Sequence, residues 1–143
     1  MTAPKVITEP FARVRPLITQ RNAHFWLGGA DGVLSLMRCG ECGTYVHPPA
    51  PVCWSCRSLR VSPEPVSGRG TVFAHTVNHY RWLPGMEPPY VVAEVDLVEQ
   101  EDLRIMTNIV GCAVEDVHIG MEVEVVFARH EDVYVPLFRP AAP

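Results

Sequence analysis

Apolar and polar residues alternate along much of the C-terminal half of the chain, which is the period of a half-buried β-strand. In the segment 90–98, apolar residues at every second position alternate with Glu94 and Asp96. The two carboxylates therefore fall on the face opposite the predicted core. The segment 121–127 follows the same pattern, with glutamates at two of its polar positions. Both segments are predicted to be strands with one face in the core.

Five segments in this half have the composition or the period of strands: 71–79, 90–98, 104–110, 121–127 and 133–138. Their number and short spacing predict a small closed or half-closed barrel, and five is the strand number of an OB-fold. A small β-sandwich is the alternative, although sandwiches usually need about seven strands. The predicted fold class is therefore mainly β.

The N-terminal part of the chain shows no comparable alternation. Residues 1–16 contain three prolines and no clear period, and they are predicted to form an extended arm. Residues 19–28 carry a weak helical stripe that Gly28 and Gly29 can end, because glycine accepts the left-handed conformation that often follows a helix. A short helix is predicted here, and a strand is predicted at 33–38.

Two matched cysteine pairs follow, Cys39-Gly-Glu-Cys42 and Cys53-Trp-Ser-Cys56, with ten residues between them. Two C-x-x-C pairs this close suit one tetrahedral zinc ion with four thiolate ligands. Such a site leaves no position open for water or substrate, so a structural zinc is predicted. A redox C-x-x-C and a disulfide pair are the alternatives. A redox site needs one pair at the start of a helix, whereas these pairs lie among glycines and prolines.

Backbone-restricting residues bound the cysteine-containing segment. Residues 45–49 link the two pairs and include two adjacent prolines, which favour extended backbone. The cysteine-containing segment is predicted to form a zinc ribbon that closes near 59–61. Residues 62–70, with two prolines and two glycines, are predicted to be the boundary between modules. The predicted domains are an arm with a helix at 1–33, a zinc ribbon at 34–62 and an OB-fold at 63–143.

Length and composition limit the possible classes of protein. A chain of 143 residues, 48% of them apolar, can form one compact unit or two small modules. No secretory signal is visible, and no run of eighteen apolar residues occurs, so no membrane span is predicted. Metal-binding cysteines without a secretory signal favour a reducing, cytoplasmic location.

The formal net charge of −4 argues against a nucleic-acid partner, because nucleic-acid binders usually carry a basic face. Single-stranded nucleic-acid binding is nevertheless the alternative from another functional class, and it would need aromatic platforms along a basic groove. Four arginines lie in or beside the ribbon: Arg38, Arg57, Arg60 and Arg69. They form either a solvated rim or a basic lip that contacts phosphates.

The chain shows no catalytic motif of its own: both G-x-S-x-G and G-x-x-x-x-G-K-[ST] are absent. The zinc-deaminase pattern fails because Val52, not proline, precedes Cys53, and no His-x-Glu occurs. Six histidines are scattered, and Cys112 lies in an apolar setting that predicts an inert thiol. Glu94 and Asp96 could do acid–base work, but a solvated outer face is favoured. The isolated chain is predicted not to be an enzyme.

One loop has the composition of a binding surface. Residues 79–87 join the first two predicted barrel strands, where OB-folds commonly bind ligands. The loop combines His79, Tyr80, Arg81 and Trp82 with a methionine. Aromatic residues, arginine and methionine are enriched at interface hot spots and adaptable contacts. The alternative is a hairpin tip that folds onto its own barrel.

The motifs of this chain, and their order along it, resemble those of the zinc-ribbon/OB-fold acyl-CoA-associated proteins, formerly called domain of unknown function 35. The resemblance covers nearly the whole chain, apart from 1–15 and 79–87. The matching pieces are Phe25-Trp26, Cys39-Gly-Glu-Cys42-Gly43, His47-Pro48-Pro49, Val52-Cys53, Ser67–Val72, Pro88–Ala93, Thr107–Cys112, Ile119–Val123 and Pro136–Pro140.

The resemblance implies an N-terminal helix, a rubredoxin-like zinc ribbon and an OB-fold barrel. It also implies a non-catalytic accessory subunit, assembled with a thiolase-like enzyme of the lipid-transfer-protein thiolase or aldolase type. Such partners form or cleave C–C bonds in CoA thioesters, and they carry the catalytic residues. Some family members accompany hot-dog-fold hydratases in steroid breakdown, so a hydratase partner is an alternative.

A CoA thioester is a possible ligand of such a subunit. It would need arginines for its phosphates, an aromatic face for adenine and an apolar slot for pantetheine. The candidate contacts to CoA or to the partner are Arg38, Arg69, His79, Tyr80, Arg81 and Trp82. A free acyl-CoA-binding module, without an enzyme partner, is a further alternative.

Overall fold

The computed structural model describes residues 5–143. Residues 1–4, the start of the predicted arm, lie outside this range. The elements are β1 (Val6–Ile7), α1 (Ala23–Leu27), β2 (Leu34–Cys39), β3 (Tyr45–Val46), β4 (Val61–Val66), β5 (Arg69–Asn78), β6 (Tyr90–Leu97), β7 (Arg104–Ile109), β8 (Glu122–His130) and β9 (Val133–Pro140). Two 3-10 turns, Gly28–Asp31 and Val114–Asp116, complete them. No helix in the described range has the length and apolar character needed to cross a membrane.

Five strands close into a barrel. β6 pairs antiparallel with β5 and β7, and β8 pairs antiparallel with β5 and β9. A short parallel pairing of Ile109 in β7 with Phe138 in β9 completes the ring. Closure of five strands in this order is the arrangement of an OB-fold. The predicted barrel is therefore confirmed, and the sandwich alternative is wrong.

The alternating pattern places one face of each barrel strand inside. Every second residue of β6 is buried, while Glu94 and Asp96 lie on the outer face as predicted. The largest fully buried side chains are Phe127 and Phe138. Helix and ribbon residues also join this core, namely Phe25, Leu34, Leu36 and Tyr45. Helix, ribbon and barrel therefore share one hydrophobic cluster.

The sheet of the ribbon extends further than predicted. β2 pairs antiparallel with β3 on one side and, over six residues, with β4 on the other. The predicted boundary segment, 62–70, therefore contains most of a strand, β4, and the start of β5. Pro63 and Pro65 lie in β4, at the edge of the ribbon sheet. A missing N–H is tolerated at an edge.

The helix is shorter than the one predicted at 19–28. Before it, a turn is fixed by the Thr19 N–H, which donates to Asn22 Oδ1 at 2.7 Å. After it, the backbone packs too closely for a side chain, since a Cβ on Gly29 would lie 2.4 Å from the Cβ of Tyr134. Gly32 then ends the 3-10 turn with a φ of +69°, a conformation that glycine adopts without strain.

The described part of the arm, residues 5–16, is attached to the barrel in a way the sequence pattern did not predict. β1 pairs in parallel with β8, and the Phe127 N–H donates to the Lys5 carbonyl at 2.7 Å. On this side of β8 a second small cluster is buried, formed by Val126, Ala128 and Leu137 with Ile7 packed against it. The arm therefore explains why consecutive residues of β8 are buried, and not alternate ones alone.

Candidate metal centre and partner-binding surface

The two cysteine pairs meet at one end of the ribbon. Cys39 ends β2 and Cys42 lies in the turn after it, while Cys53 and Cys56 bound the second turn. The four Sγ atoms lie within 4.8 Å of one another. The Cys39–Cys56 and Cys42–Cys53 sulfur pairs are each 3.6 Å apart. The fold thus brings all four predicted ligands together.

This geometry fits a tetrahedral zinc ion. Zn–S bonds of about 2.3 Å require sulfur–sulfur distances of about 3.8 Å, close to the two pairs at 3.6 Å. The Glu41 N–H donates to the Cys39 sulfur at 3.4 Å.

The surroundings act in opposite directions on two of the thiols. Contacts with Thr44 lower the pKa of Cys42 to about 6, whereas a backbone hydrogen bond from Ser58 is outweighed by burial and the neighbouring sulfurs, which raise the pKa of Cys56 to about 12. A bound zinc ion would hold the ligands as thiolates. The four cysteines form a structural zinc site with no position for substrate.

Arg38, a predicted phosphate or partner contact, is bound within the ribbon. Its Nε donates to the Gly43 carbonyl at 2.9 Å, and its Nη1 donates to Glu64 at 3.1 Å. The guanidinium also lies over the Tyr45 ring, 4.7 Å from the centroid. These contacts brace the turn that carries the first cysteine pair. Arg69, the other predicted arginine near the ribbon, is exposed.

The loop at 79–87 presents two aromatic side chains to solvent. Tyr80 and Trp82 are 64% and 68% exposed, with ring centroids 4.6 Å apart. The Trp82 indole donates to Asn78 Oδ1 at 3.0 Å. The aromatic pair is therefore held by contacts near the end of β5 and remains uncovered by the barrel. His79, at the start of the loop, is also exposed.

The second half of this loop packs against the protein. Met86 is buried, and a Cβ on Gly85 would lie 3.0 Å from the Cβ of Phe11 in the arm. Arg81 forms an ion pair with Glu87 inside the loop. A tip folded onto its own protein, the alternative weighed for this loop, describes its second half but not the aromatic pair.

The arm and the β8–β9 turn enclose a cleft of about 580 Å³ that Phe11 also lines. Beside it, the Glu9 carboxylate accepts hydrogen bonds from Arg13 at 2.6 and 2.7 Å and from His130 at 2.7 Å. Arg13 also donates to Asn108 at 2.9 Å. Burial raises the pKa of Glu9, but the hydrogen bonds and charges of Arg13 and His130 outweigh it and lower the pKa. No sequence pattern predicted this network, because its members come from three distant segments.

The outward carboxylates of β6 do not form an acid–base pair. Asp96 accepts a hydrogen bond from Arg104 at 2.7 Å, and the Arg104 guanidinium lies 3.5 Å over the Phe73 ring. The positive charge of Arg104 thereby balances the negative charge of Asp96 on the outer face. Burial, with the charge of Asp116, raises the pKa of the Cys112 thiol, which favours its protonated form.

Comparisons with known proteins match both modules. Residues 26–62 match the rubredoxin-like zinc ribbon domain of ChsH2, and residues 63–128 match its C-terminal OB-fold domain. A DUF35 domain-containing scaffold protein of Methanothermobacter thermautotrophicus is 33% identical over 97 residues, 64% of this chain and 69% of that protein. This chain belongs to the DUF35 family. The family resemblance inferred from the motifs is thereby confirmed.

This DUF35 chain is also 36% identical to a chain of the solved Ltp2-ChsH2(DUF35) aldolase, with a TM-score of 0.81 and coverage of 90% of this chain and 100% of that one. The 3-oxo-4,17-pregnadiene-20-carboxyl-CoA hydratase alpha subunit of Mycobacterium tuberculosis is 34% identical over 124 residues, 87% of this chain. The DUF35 chain spans 39% of the length of that subunit.

Proposed function

We propose that this chain is a non-catalytic scaffold subunit of a complex that processes CoA thioesters. Its catalytic partner is a thiolase-like enzyme of the lipid-transfer-protein thiolase or aldolase type. The observation that carries the proposal is the match to the whole length of a chain of the Ltp2-ChsH2(DUF35) aldolase, at 36% identity and a TM-score of 0.81. Because the match covers the whole of that aldolase chain, it supports a similar assembly of this chain with an aldolase-type enzyme.

The chemistry of the described residues supports a scaffold role. C–C bond formation or cleavage beside a thioester needs a base, and often a nucleophile, in hydrogen-bond contact. Within residues 5–143, the side-chain hydrogen bonds of histidine go to Glu9 and to the Asp116 carbonyl, not to a serine or cysteine. The four clustered cysteines are placed to bind one metal ion. The partner therefore supplies the catalytic groups.

A hydratase is the second candidate partner. It is favoured by the 34% identity to the alpha subunit of a hydratase named for a pregnadiene carboxyl-CoA substrate. The same relative makes a steroid or lipid acyl group the substrate class we favour. Both candidate partners act on CoA thioesters in a reducing cytoplasm, where zinc-binding thiolates persist.

For the exposed loop residues we favour contact with the partner subunit over contact with CoA. Arg81 is already paired with Glu87, and Arg38 with Glu64, so neither guanidinium is free for a phosphate. Arg69 remains the candidate phosphate contact. His79, Tyr80 and Trp82 offer the aromatic surface typical of an interface anchor.

Co-purification from the native host tests this proposal. Tagged chain should retain a thiolase-like or aldolase-type subunit in a stable ratio, identified by mass spectrometry of the bound chain. Recovery of a hydratase subunit in its place would select the second candidate. Recovery of nucleic acid, or of free acyl-CoA without a protein partner, would overturn the scaffold proposal.

A further inference from the structure

Tyr45 is one of the residues at which the ribbon and the barrel meet. It follows the first cysteine turn, where the Cys39 N–H donates to the Thr44 carbonyl at 2.8 Å. Its side chain is nevertheless buried in the barrel cluster, together with Phe127 and Phe138. The backbone position of Tyr45 is therefore fixed by the metal-binding turn on one side and by the barrel core on the other.

Gln100, in the turn between β6 and β7, binds both backbone groups of this residue. Its Oε1 accepts from the Tyr45 N–H at 2.8 Å, and its Nε2 donates to the Tyr45 carbonyl at 3.3 Å. One side-chain amide thus pairs with the peptide groups of Tyr45 much as a neighbouring strand would. The second cysteine turn reaches the same carbonyl, because the Trp54 indole donates to it at 3.4 Å.

The same turn also holds the junction between ribbon and barrel. Glu99 Oε1 accepts from the Ser67 N–H at 2.6 Å, and the Val98 N–H donates to the Arg69 carbonyl at 3.1 Å. Consecutive residues of the β6–β7 turn therefore contact the metal-binding region and the start of β5. These contacts make the turn sensitive to the position of the ribbon.

We propose that Gln100 is a positioning residue for the zinc site, coupling metal binding in the ribbon to the order of the β6–β7 turn. Zinc holds the two cysteine turns together and so fixes Tyr45, where Gln100 then finds both of its hydrogen-bond partners. Coupling between two sites is reciprocal. If the metal orders the Gln100 contact, that contact must strengthen metal binding by the same factor. This inference depends on the metal site and not on the proposed partner.

The test measures zinc affinity of the full chain by competition with a chromophoric chelator. Gln100→Ala should bind zinc roughly tenfold more weakly, because it removes two hydrogen bonds to a backbone fixed by the metal. Gln100→Glu keeps the acceptor and loses the donor, so a smaller loss is expected. Glu101→Ala, an exposed change in the same turn, is the matched control and should bind like wild type. Equal affinity of wild type and Gln100→Ala would overturn the proposal.

Hydrogen exchange of the wild-type chain provides a second test that needs no variant. On removal of zinc by a chelator, the amides of Tyr45 and of 98–103 should lose protection at least about tenfold more than those of β8 and β9. Retained protection of 98–103, or an equal loss throughout the barrel, would contradict the coupling. If the role of Gln100 were purely structural, Gln100→Ala would lower the stability of the zinc-bound and the zinc-free protein equally and would leave the zinc affinity unchanged.

Discussion

Two half-buried histidines at the helix–ribbon junction show how single residues respond to their surroundings. Within the described residues, His47 Nδ1 and His24 Nε2 are buried without a hydrogen-bond partner. The His47 ring lies 5.1 Å from the Phe25 ring. Burial, assisted by the charge of His24, lowers the pKa of His47 to about 4. The folded protein therefore keeps this imidazole neutral well below its ordinary pKa.

Stability should decline as the pH falls from about 6.5 to about 4, because the unfolded chain protonates His47 before the folded chain does. The contribution of neutral His47 to the free energy of unfolding is complete above pH 6.5 and is lost near pH 4, a difference on the order of 3 kcal/mol. Urea unfolding with excess zinc should show a shallower decline for His47→Leu than for wild type. The exposed control His79→Gln should keep the wild-type slope, and equal slopes in all three proteins would refute the assignment.

Trp82 carries the prediction about the interface. Truncation of Trp82 to Ala should weaken binding to the partner by about 2 kcal/mol or more, roughly thirtyfold, if the indole lies at the buried centre of the interface. The melting temperature of the isolated chain should hardly change, since the indole is 68% exposed. Titration calorimetry and thermal melting measure the two effects. Ile119→Ala, another exposed apolar position, is the control. A variant that melts early but binds normally would place Trp82 in the fold and not in the interface.

At the scale of elements, periodic patterns in the sequence predicted the barrel strands, whereas elements and contacts that depend on residues distant in the chain were missed. The alternation in β6 and β8 predicted two barrel strands because one face of each is buried. β4 was missed because Pro63 and Pro65 disguise an edge strand, and β1 because two residues are too few to show a period. The cysteine pairs predicted the metal ligands from spacing alone. The contacts of Gln100 and Glu9 could not be predicted, since their partners are brought near only by the complete fold.

The attachment of the arm to the barrel should depend on the buried charge network of Glu9, Arg13 and His130. Arg13→Ala leaves the Glu9 carboxylate, whose side chain is only 9% exposed, without its main charge partner. The loss should cost about 3 kcal/mol of unfolding free energy and raise the protease sensitivity of the arm. Arg15→Ala is the matched control, because Arg15 pairs with Asp132 at the surface and should change stability little. Similar stabilities for both variants, measured by urea unfolding, would show that the network does not hold the arm.

The ribbon should depend on its metal. Cys39→Ser should remove zinc, found otherwise at one ion per chain by elemental analysis, and leave the ribbon partly unfolded. Cys112→Ser, a change outside the four-sulfur cluster, should retain one zinc and fold normally. X-ray absorption should show four sulfur neighbours around the ion. A metal-free Cys39→Ser protein with normal melting would argue strongly against a structural site.

At the scale of the whole molecule, the parts form one packed body with a small uncovered aromatic surface. Helix and ribbon contribute to the barrel cluster through Phe25, Leu36 and Tyr45. The arm covers one side of β8, and Tyr80 and Trp82 remain exposed. Within the described residues, the exposed aromatic pair is the surface that we propose for contact with the partner subunit.

Turnover of an acyl-CoA thioester tests this account most directly. The purified chain, its cognate thiolase-like subunit and their reconstituted complex should be assayed with the same substrate under retro-aldol or thiolysis conditions. The account predicts no turnover by the chain alone and a strong rise when it joins the subunit. Robust turnover by the isolated chain, or full activity of the thiolase-like subunit without it, would contradict the central claim.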